Sequence, residues 1–418
     1  MKTAPTIDLI TIGDELLLGL TRNGHLTYLG EQLAFRGAAP NRNIVCRDEA
    51  GEIRANFELA WSEADIVITT GGLGPTSDDR TRDIIAEVLE LELLYSQDVE
   101  DAIRERFRSF SSTMGVNNKK QAYYPDGADI IMNAQGTAPG LWLEKDGKLL
   151  IMLPGPPREL NPMFENQILP RLSEEGRLAD AAQIISFQTS GIGESSLELE
   201  LDPILNPHED INVAFCAHYG TVDVRLSSIT GDSSLDFVRE LAESCIQKLE
   251  SHFLTHGIRG ITPVILDLLR DRQETIAVAE SCTGGLLGAA LTAVPGSSDV
   301  FQGGTITYTN QAKHEILGVA QSDLDQYGAV SEQVARAMAE GVREKLHSTW
   351  ALSTTGIAGP GGGTSEKPVG TVFVGMAGPD GSFAKQLDLR GNRGIVRERT
   401  VGVAQDILRR RLLKMVGN

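Results

Sequence analysis

The residues best suited to chemistry fall in two clusters, and the sharper one lies near the C-terminus. Ser281 sits in Ala277-Val278-Ala279-Glu280-Ser281-Cys282-Thr283-Gly284-Gly285, where an apolar strand ends and a helix begins. That placement puts a hydroxyl at a helix N-terminus beside free backbone N–H groups. Those groups could hold a developing oxyanion, and paired glycines let a substrate approach the backbone. A Ser here is equally an ordinary N-cap. A Ser nucleophile needs a base, and Lys313, in Tyr308-Thr309-Asn310-Gln311-Ala312-Lys313, can serve if burial lowers its pKa; a Lys near a strand end is otherwise a surface residue. His314 and His347 fall within predicted helices, which favours Ser–Lys over Ser–His. Thr354 to Thr364 includes an eight-residue window, Gly356 to Gly363, in which six residues are Gly or Pro. Such a loop could cradle a phosphate or an amide, or be a flexible hairpin loop. Arg393, at the start of the terminal helix, faces the unfavourable end of the helix dipole, so it is either a partner for an anion or a surface Arg.

The second cluster is N-terminal. Gly13-Asp14-Glu15-Leu16-Leu17-Leu18-Gly19 follows one predicted strand, and Thr70-Gly71-Gly72-Leu73-Gly74-Pro75-Thr76-Ser77-Asp78-Asp79 follows another. The glycines offer N–H groups to phosphate. Asp14, Glu15, Asp78 and Asp79 offer hard oxygens to Mg²⁺ or a similar ion. Asp78 or Asp79 could instead cap a helix beginning at Arg80, although both cannot. Ser190-Gly191-Ile192-Gly193-Glu194-Ser195 reads as a capping loop.

These clusters need a scaffold that brings loop ends together. Strands are expected at 7–12, 43–46 and 65–70, alternating with helices at 23–36, 51–63 and 79–91. The first helix would bury Leu26, Leu29 and Leu33. The alternation predicts a parallel sheet with helices on both faces and ligands at the carboxyl ends of its strands. Further strands are expected at 129–132, 141–144 and 149–153. Residues 171 to about 182 suit a linker. A small α+β module follows, with strands at 184–189, 211–215 and 222–227 and helices at 194–201 and 235–253. The last part is a third α/β unit, with helices at 261–272, 283–292, 331–346 and 392–413. Its strands are expected at 275–279, 301–308, 350–354, 369–376 and 383–389.

Composition sets the bounds. The 418 residues suggest about three domains at roughly 150 residues each. Hydrophobic residues make up 41% and charged residues 23%, which excludes a mainly disordered chain. No apolar run approaches the ~20 residues a membrane helix needs, and residues 1–5 lack a signal-peptide pattern. The four cysteines, Cys46, Cys216, Cys245 and Cys282, form no C-x-x-C pair, so free thiols in a cytoplasmic protein are expected. The net charge of −19 argues against a large nucleic-acid surface. All of it resides in residues 1–259, because residues 260–418 are balanced.

The set AESCTGG (Ala279 to Gly285), Tyr308 with Lys313, TGIAGPGGG (Thr355 to Gly363) followed by KPVGTV (Lys367 to Val372), and Gly391 with Arg393 resembles the CinA C-terminal family. That resemblance implies deamidation of nicotinamide mononucleotide to nicotinic acid mononucleotide and ammonia, with no cofactor. Ser281 would be the nucleophile, Lys313 the base and Tyr308 an aid to proton transfer. Thr283, Gly284, Gly285, Thr355, Gly356, Gly359, Gly361, Gly362 and Arg393 would bind substrate. Where the family carries Phe-x-Gly-Asp-Arg, this chain has Leu389-Arg390-Gly391-Asn392-Arg393, so the Asp is lost and the Arg kept.

The N-terminal part resembles the molybdopterin-binding-like domain of the same family. The resemblance rests on GDELLLG, TGGLGPTSDD, Asn118 to Ala122, Gly136 to Gly140 and Leu153 to Glu159. It implies hydrolysis of ADP-ribose with a divalent metal (Mg, Mn or Co), with Asp78 as metal ligand and Asp14, Glu15, Thr70, Gly71, Gly72 and Asp79 around it. The whole is expected to be a doubly wound α/β domain at 1–170, a KH-like α+β module at 171–258 and an α/β amidase domain at 259–418. A homodimer acting on small nucleotides, without direct nucleic-acid or membrane contact, is expected. The rival readings are a molybdopterin-binding or adenylyl-transferring protein and a non-enzymatic adaptor in competence or DNA damage.

Overall fold

The structure is a computed structural model that describes residues 5–178, 184–229 and 233–414. Residues 1–4 and 179–182, where the sequence predicts no signal peptide and the end of a linker, lie outside them. The chain divides into two compact units, residues 1–184 and 185–418. Among the described residues no helix is long and apolar enough to cross a membrane.

In the first unit the strands are β1 (Ile7–Ile12), β2 (Pro40–Cys46), β3 (Ile66–Thr70), β4 (Leu93–Tyr95), β5 (Tyr123–Pro125), β6 (Asp129–Ile131), β7 (Gly140–Lys145) and β8 (Lys148–Leu153). The helices are α1 (Asp14–Leu17), α2 (His25–Ala34), α3 (Ala50–Glu63), α4 (Thr81–Val88), α5 (Gln97–Ser109), α6 (Pro157–Met163) and α7 (Leu169–Glu174). The main sheet has the order β2-β1-β3-β8-β7-β6. Its first four strands are parallel. β1 and β3 are buried at every position, as expected of strands covered on both faces. The sheet is not wholly parallel. β7 and β6 run antiparallel, because β7 and β8 are joined by the two-residue turn Asp146-Gly147, both with positive φ.

Two helix expectations change. α2 buries His25 with Leu29 and Leu33, while Leu26 is exposed. α4 starts at Thr81 with Arg80 at the cap position and no side-chain cap bond, so neither Asp78 nor Asp79 caps it.

The second unit opens with a four-stranded antiparallel sheet in the order β10-β11-β9-β12. It is built from β9 (Ile185–Ser190), β10 (Ile211–Ala217), β11 (Thr221–Ser228) and β12 (Phe253–His256), with α8 (Glu194–Leu205) and α9 (Leu235–Leu249) packed on it. The expected long helix to residue 253 stops at Leu249, where Glu250 turns to φ 45°, and β12 takes its place.

The remainder comprises α10 (Ile261–Asp271), β13 (Ile276–Glu280), α11 (Leu286–Thr292), β14 (Phe301–Ile306), α12 (Asn310–Leu317), α13 (Gln321–Tyr327), α14 (Glu332–Lys345), β15 (Trp350–Gly356), β16 (Thr371–Gly378), β17 (Gly381–Asp388) and α15 (Arg393–Lys414). The sheet order is β14-β13-β15-β16-β17, with β14, β13 and β15 parallel and the last two antiparallel. Strand alternation splits the core: Ile276 and Val278 meet α10, α11 and α15, whereas Ala277 and Ala279 meet α14. The antiparallel module belongs to the same unit because α15 is bolted to it. The fully buried Arg409 donates to the carbonyls of Ser251 (2.9 Å) and Phe253 (3.0 Å), and its charge is matched by Asp406 (2.7 Å). Such charge-assisted bonds to backbone carbonyls fix the helix against the sheet.

A Ser–Lys pair and an acidic cleft

Three adjacent parallel strands end together in the C-terminal part. Glu280 of β13 lies opposite Ile306 of β14 and Thr354 of β15. The residues just beyond, Ser281, Thr307 and Tyr308, and Thr355 and Gly356, therefore share one edge of the sheet. From β14 the chain turns into α12, where Thr309 caps the helix through its hydroxyl on Ala312 N–H (3.1 Å). That cap aims Lys313 back under the edge. Its Nζ lies 3.0 Å from Ser281 Oγ and 2.8 Å from the Thr307 carbonyl.

Both members of the pair are inside. Ser281 is 8% exposed and Lys313 1%. No carboxylate pairs with Lys313 among the described residues, and burial pushes its ammonium down to about 8 from an ordinary 10.5. A large fraction is then neutral near pH 8 and able to accept a proton from the hydroxyl. Cys282, next in sequence, is the opposite case: burial pushes its thiol up to about 11, which leaves it protonated and poorly nucleophilic.

The other expected residues divide. Arg393 opens α15, donates to Gly359 O (2.8 Å) and to Tyr308 Oη (3.0 Å), and pairs with no acid among the described residues. Tyr308 is 58% exposed and its hydroxyl engages Arg393 rather than Lys313 or Ser281. Gly284 and Gly285 hold left-handed φ values of 61° and 98°, which make the turn after Ser281 possible. The Thr283 hydroxyl is taken by Thr354 (2.6 Å). Thr355 points to the other side of the sheet and gives its hydroxyl to Ala329 O (2.7 Å), so that side chain does not reach the Ser–Lys edge. Gly356 and Gly359 are there for close packing: a Cβ would lie 2.6 Å from Val372 or Val369, respectively. Gly361 has open space around it and Gly362 takes φ 86°; both lie in the exposed loop.

Two expectations about the nucleophile's surroundings are corrected. The helix begins at Leu286, not Thr283. Its first N–H groups are also not free, because the Glu280 carboxylate accepts from Gly285 (2.9 Å), Leu287 (3.0 Å) and Gly288 (2.7 Å). Arg397, one turn after Arg393, donates to Thr283 O at 2.7 Å. Glu280 carries no mark in sequence beyond its place in Ala279 to Gly285, and Arg397 lies outside every motif.

In the first unit, a cleft of about 510 Å³ lies at the carboxyl ends of β1, β3 and β8. Glu15, Asp48, Gly71, Gly72, Asp78 and Asp79 all line it. Thr70 lies beneath the floor, with its hydroxyl on His25 Nδ1 (2.8 Å), while His25 Nε2 meets Gly155 O (2.7 Å). Burial lowers the His25 pKa, so the ring is neutral, with Nε2–H donating to the carbonyl and Nδ1 accepting from Thr70. Gly71 has no room for a side chain, since a Cβ would lie 2.2 Å from Ile12 O. Asp14 and Asp48 exchange backbone bonds: Asp14 N–H reaches Asp48 Oδ2 (3.0 Å) and Asp48 N–H reaches Asp14 Oδ1 (3.3 Å). Asp79 accepts from Thr76 N–H (2.8 Å).

Asp48 was not singled out in the sequence, yet it carries the electrostatic signature of this cleft. Burial raises its carboxyl pKa, and the negative charges of Glu15, Asp14 and Asp78 raise it further. Hydrogen bonds from Thr76 and its own N–H, with Lys120 nearby, hold Asp78 low. Among the described residues no three His, Cys, Asp or Glu side chains converge into a metal cage. The carboxylates suit a hard divalent ion only in the mode where substrate phosphates and water supply most of the ligands.

The fold thus joins a molybdopterin-binding-type α/β unit to a second α/β domain whose strand ends carry a Ser–Lys pair. Residues 8–174 match a family described as "Probable molybdopterin binding domain", and residues 259–412 match the CinA C-terminal domain. A competence-damage inducible protein of Thermoanaerobacter pseudethanolicus is 40% identical over 97% of this chain and 98% of its own. One from Clostridium botulinum is 38% identical over 97% and 99%. The crystal structure of competence/damage inducible protein CihA from Agrobacterium tumefaciens, 39% identical, covers 35% of this chain and 91% of its own at a TM-score of 0.35. The chain belongs to the CinA family of competence/damage-inducible proteins.

Proposed function

We propose that the C-terminal domain is a metal-independent amidohydrolase that deamidates nicotinamide mononucleotide. The observation that carries this reading is the buried Lys313 ammonium 3.0 Å from Ser281 Oγ, without a carboxylate partner among the described residues and with its pKa lowered to about 8. Neutral Lys313 takes the Ser281 proton as Oγ attacks the carboxamide carbon. The resulting lysinium returns that proton to the departing nitrogen, which leaves as ammonia. Water then attacks the nicotinoyl ester as Lys313 takes its proton; the bond to Ser281 Oγ breaks, Lys313 returns the proton to Oγ, and nicotinic acid mononucleotide departs. Arg393, which pairs with no acid among the described residues, would meet the phosphate or ribose in this reading. Tyr308 acts through Arg393 at the mouth of the site in this reading. Acid quenching during turnover should trap a nicotinoyl ester on Ser281, detected by mass spectrometry of the peptide. Turnover with no such adduct under any quench condition would argue for direct attack by water.

A second activity is supported by the N-terminal cleft. There the crowded carboxylates around Asp48, facing a glycine loop, suit cleavage of ADP-ribose with a divalent ion. Asp48 and Asp78, with Asp14 and Glu15 nearby, would hold the ion, which supplies neutralising charge to the pyrophosphate when bound. The Gly71 N–H is held by Leu153 O (3.0 Å), so the loop would turn the Gly72 N–H toward a phosphate oxygen. Release of AMP from ADP-ribose that is lost with chelator and restored by Mg²⁺, Mn²⁺ or Co²⁺ tests this reading. No release with any of the three ions contradicts it.

A further inference from the structure

The amidase reading leaves open which groups stabilise the oxyanion, and the backbone around Ser281 answers by elimination. From Ser281 to Ala289 nearly every N–H has an acceptor. Ser281 donates to Thr354 O (2.9 Å), Gly284 to Ser281 O (3.2 Å), Leu286 to Thr283 O (3.4 Å) and Ala289 to Gly285 O (2.8 Å). Gly285, Leu287 and Gly288 donate to Glu280. Only the N–H groups of Cys282 and Thr283 have no acceptor on another residue among the described residues; Cys282 N–H has its own sulfur beside it. Both residues are buried, Thr283 fully. Buried N–H groups are almost always paired, so two adjacent orphans next to a nucleophile are groups kept for a ligand.

We propose that the backbone N–H groups of Cys282 and Thr283 form the oxyanion hole of this site, and that Glu280 is the positioning residue that keeps them available. The proposal rests on the reading of Ser281 as the amidase nucleophile. Glu280 works by diversion. In a helix running on from Thr283, as the local sequence predicts, Leu287 and Gly288 would donate to the carbonyls of Thr283 and Gly284. The Glu280 carboxylate takes those donors instead and stops α11 at Leu286. The Thr283 carbonyl keeps only the long bond from Leu286 N–H (3.4 Å) and is then held by Arg397 (2.7 Å), while the Thr283 hydroxyl is held by Thr354 (2.6 Å). The turn is pinned from three sides, with the two N–H groups fixed directly after the nucleophile. A donor from the residue following the nucleophile is a geometry acyl-transfer sites use on other folds. Glu280 itself is 2% exposed, and its two oxygens are engaged by three backbone N–H groups, which makes it a positioning residue.

The test compares wild-type full chain with Glu280→Gln. Gln keeps the shape, but one end becomes a donor and faces an N–H. Removing or misplacing one oxyanion donor costs about 10²–10³ in kcat. We expect kcat for ammonia release to fall by about that factor with KM within about threefold, and the rise of activity with pH to stay where Lys313 sets it. A kcat within about twofold of wild type overturns the inference, as does a loss confined to KM or a displaced pH profile. Should the Gln variant not fold, replacement of the Thr283 peptide N–H by an ester oxygen removes that donor alone and carries the same expectation and the same refutation. A wild type that releases no ammonia overturns the amidase reading as well. An active wild type with an unimpaired variant overturns this inference alone.

Discussion

Replacing Lys313 by Met should abolish amidase activity and at the same time stabilise the protein at neutral pH. The magnitude follows from the lysine's surroundings. A folded-state pKa of about 8 against an ordinary 10.5 means that the buried ammonium is disfavoured relative to the unfolded chain. At about 1.36 kcal/mol per pKa unit, this is about 3 kcal/mol. Below pH 8 both states carry the proton, so wild type bears the full penalty. Between pH 8 and 10.5 the unfolded chain binds the proton and the folded protein does not, so stability rises with pH. Above 10.5 the penalty is gone. Met has the stem without the charge and avoids the penalty at every pH, but it gives up the bonds to Ser281 and Thr307, worth about 1 kcal/mol net. The Met variant should therefore be about 2 kcal/mol more stable than wild type at pH 7 and slightly less stable above pH 10.5. Urea unfolding of both full chains, side by side at several pH values, reads this difference, and other titrating groups cancel. A variant less stable than wild type at pH 7, or a difference that does not change with pH, would refute the claim that Lys313 is held neutral by burial.

Three further outcomes follow. The kcat/KM for nicotinamide mononucleotide should rise with pH and level off above about 8, because only neutral Lys313 takes the Ser281 proton; a profile flat from pH 6 to 9 contradicts this. Ser281→Ala should remove ammonia release while leaving metal-dependent ADP-ribose cleavage unchanged, since the two sites share no residue; parallel loss of both activities contradicts it. Asp48→Asn should raise the thermal midpoint in chelator, by relieving the repulsion among Asp14, Glu15, Asp48 and Asp78. It should also reduce the extra stability gained on adding Mg²⁺ or Mn²⁺. A lower midpoint in chelator would show that Asp48 is held by bonds rather than strained by charge.

Much of the scaffold is legible because apolar runs and glycine stops mark it. β1, β3, β8 and β13 are mostly apolar stretches, and the loops that close them carry both sites. The antiparallel β7–β8 pair is also marked, by Asp146-Gly147, a dipeptide suited to a two-residue hairpin. What is not legible depends on side-chain direction. Ser353, Thr354 and Thr355 are three small hydroxyl residues in a strand buried on both faces, so nothing in their types says that Thr354 turns to Thr283 while Thr355 turns to Ala329. Glu280 reads as one more acid beside a nucleophile until its carboxylate is seen curled over the start of α11. Asp48 sits outside both N-terminal motifs and enters the cleft only through the pairing of β1 with β2.

Ammonia release from nicotinamide mononucleotide in the presence of chelator, wild type against Ser281→Ala, decides whether Ser281 and Lys313 form a metal-free amidase centre. Wild type should release ammonia and the variant none. No release by wild type, or equal release by both, would contradict that assignment.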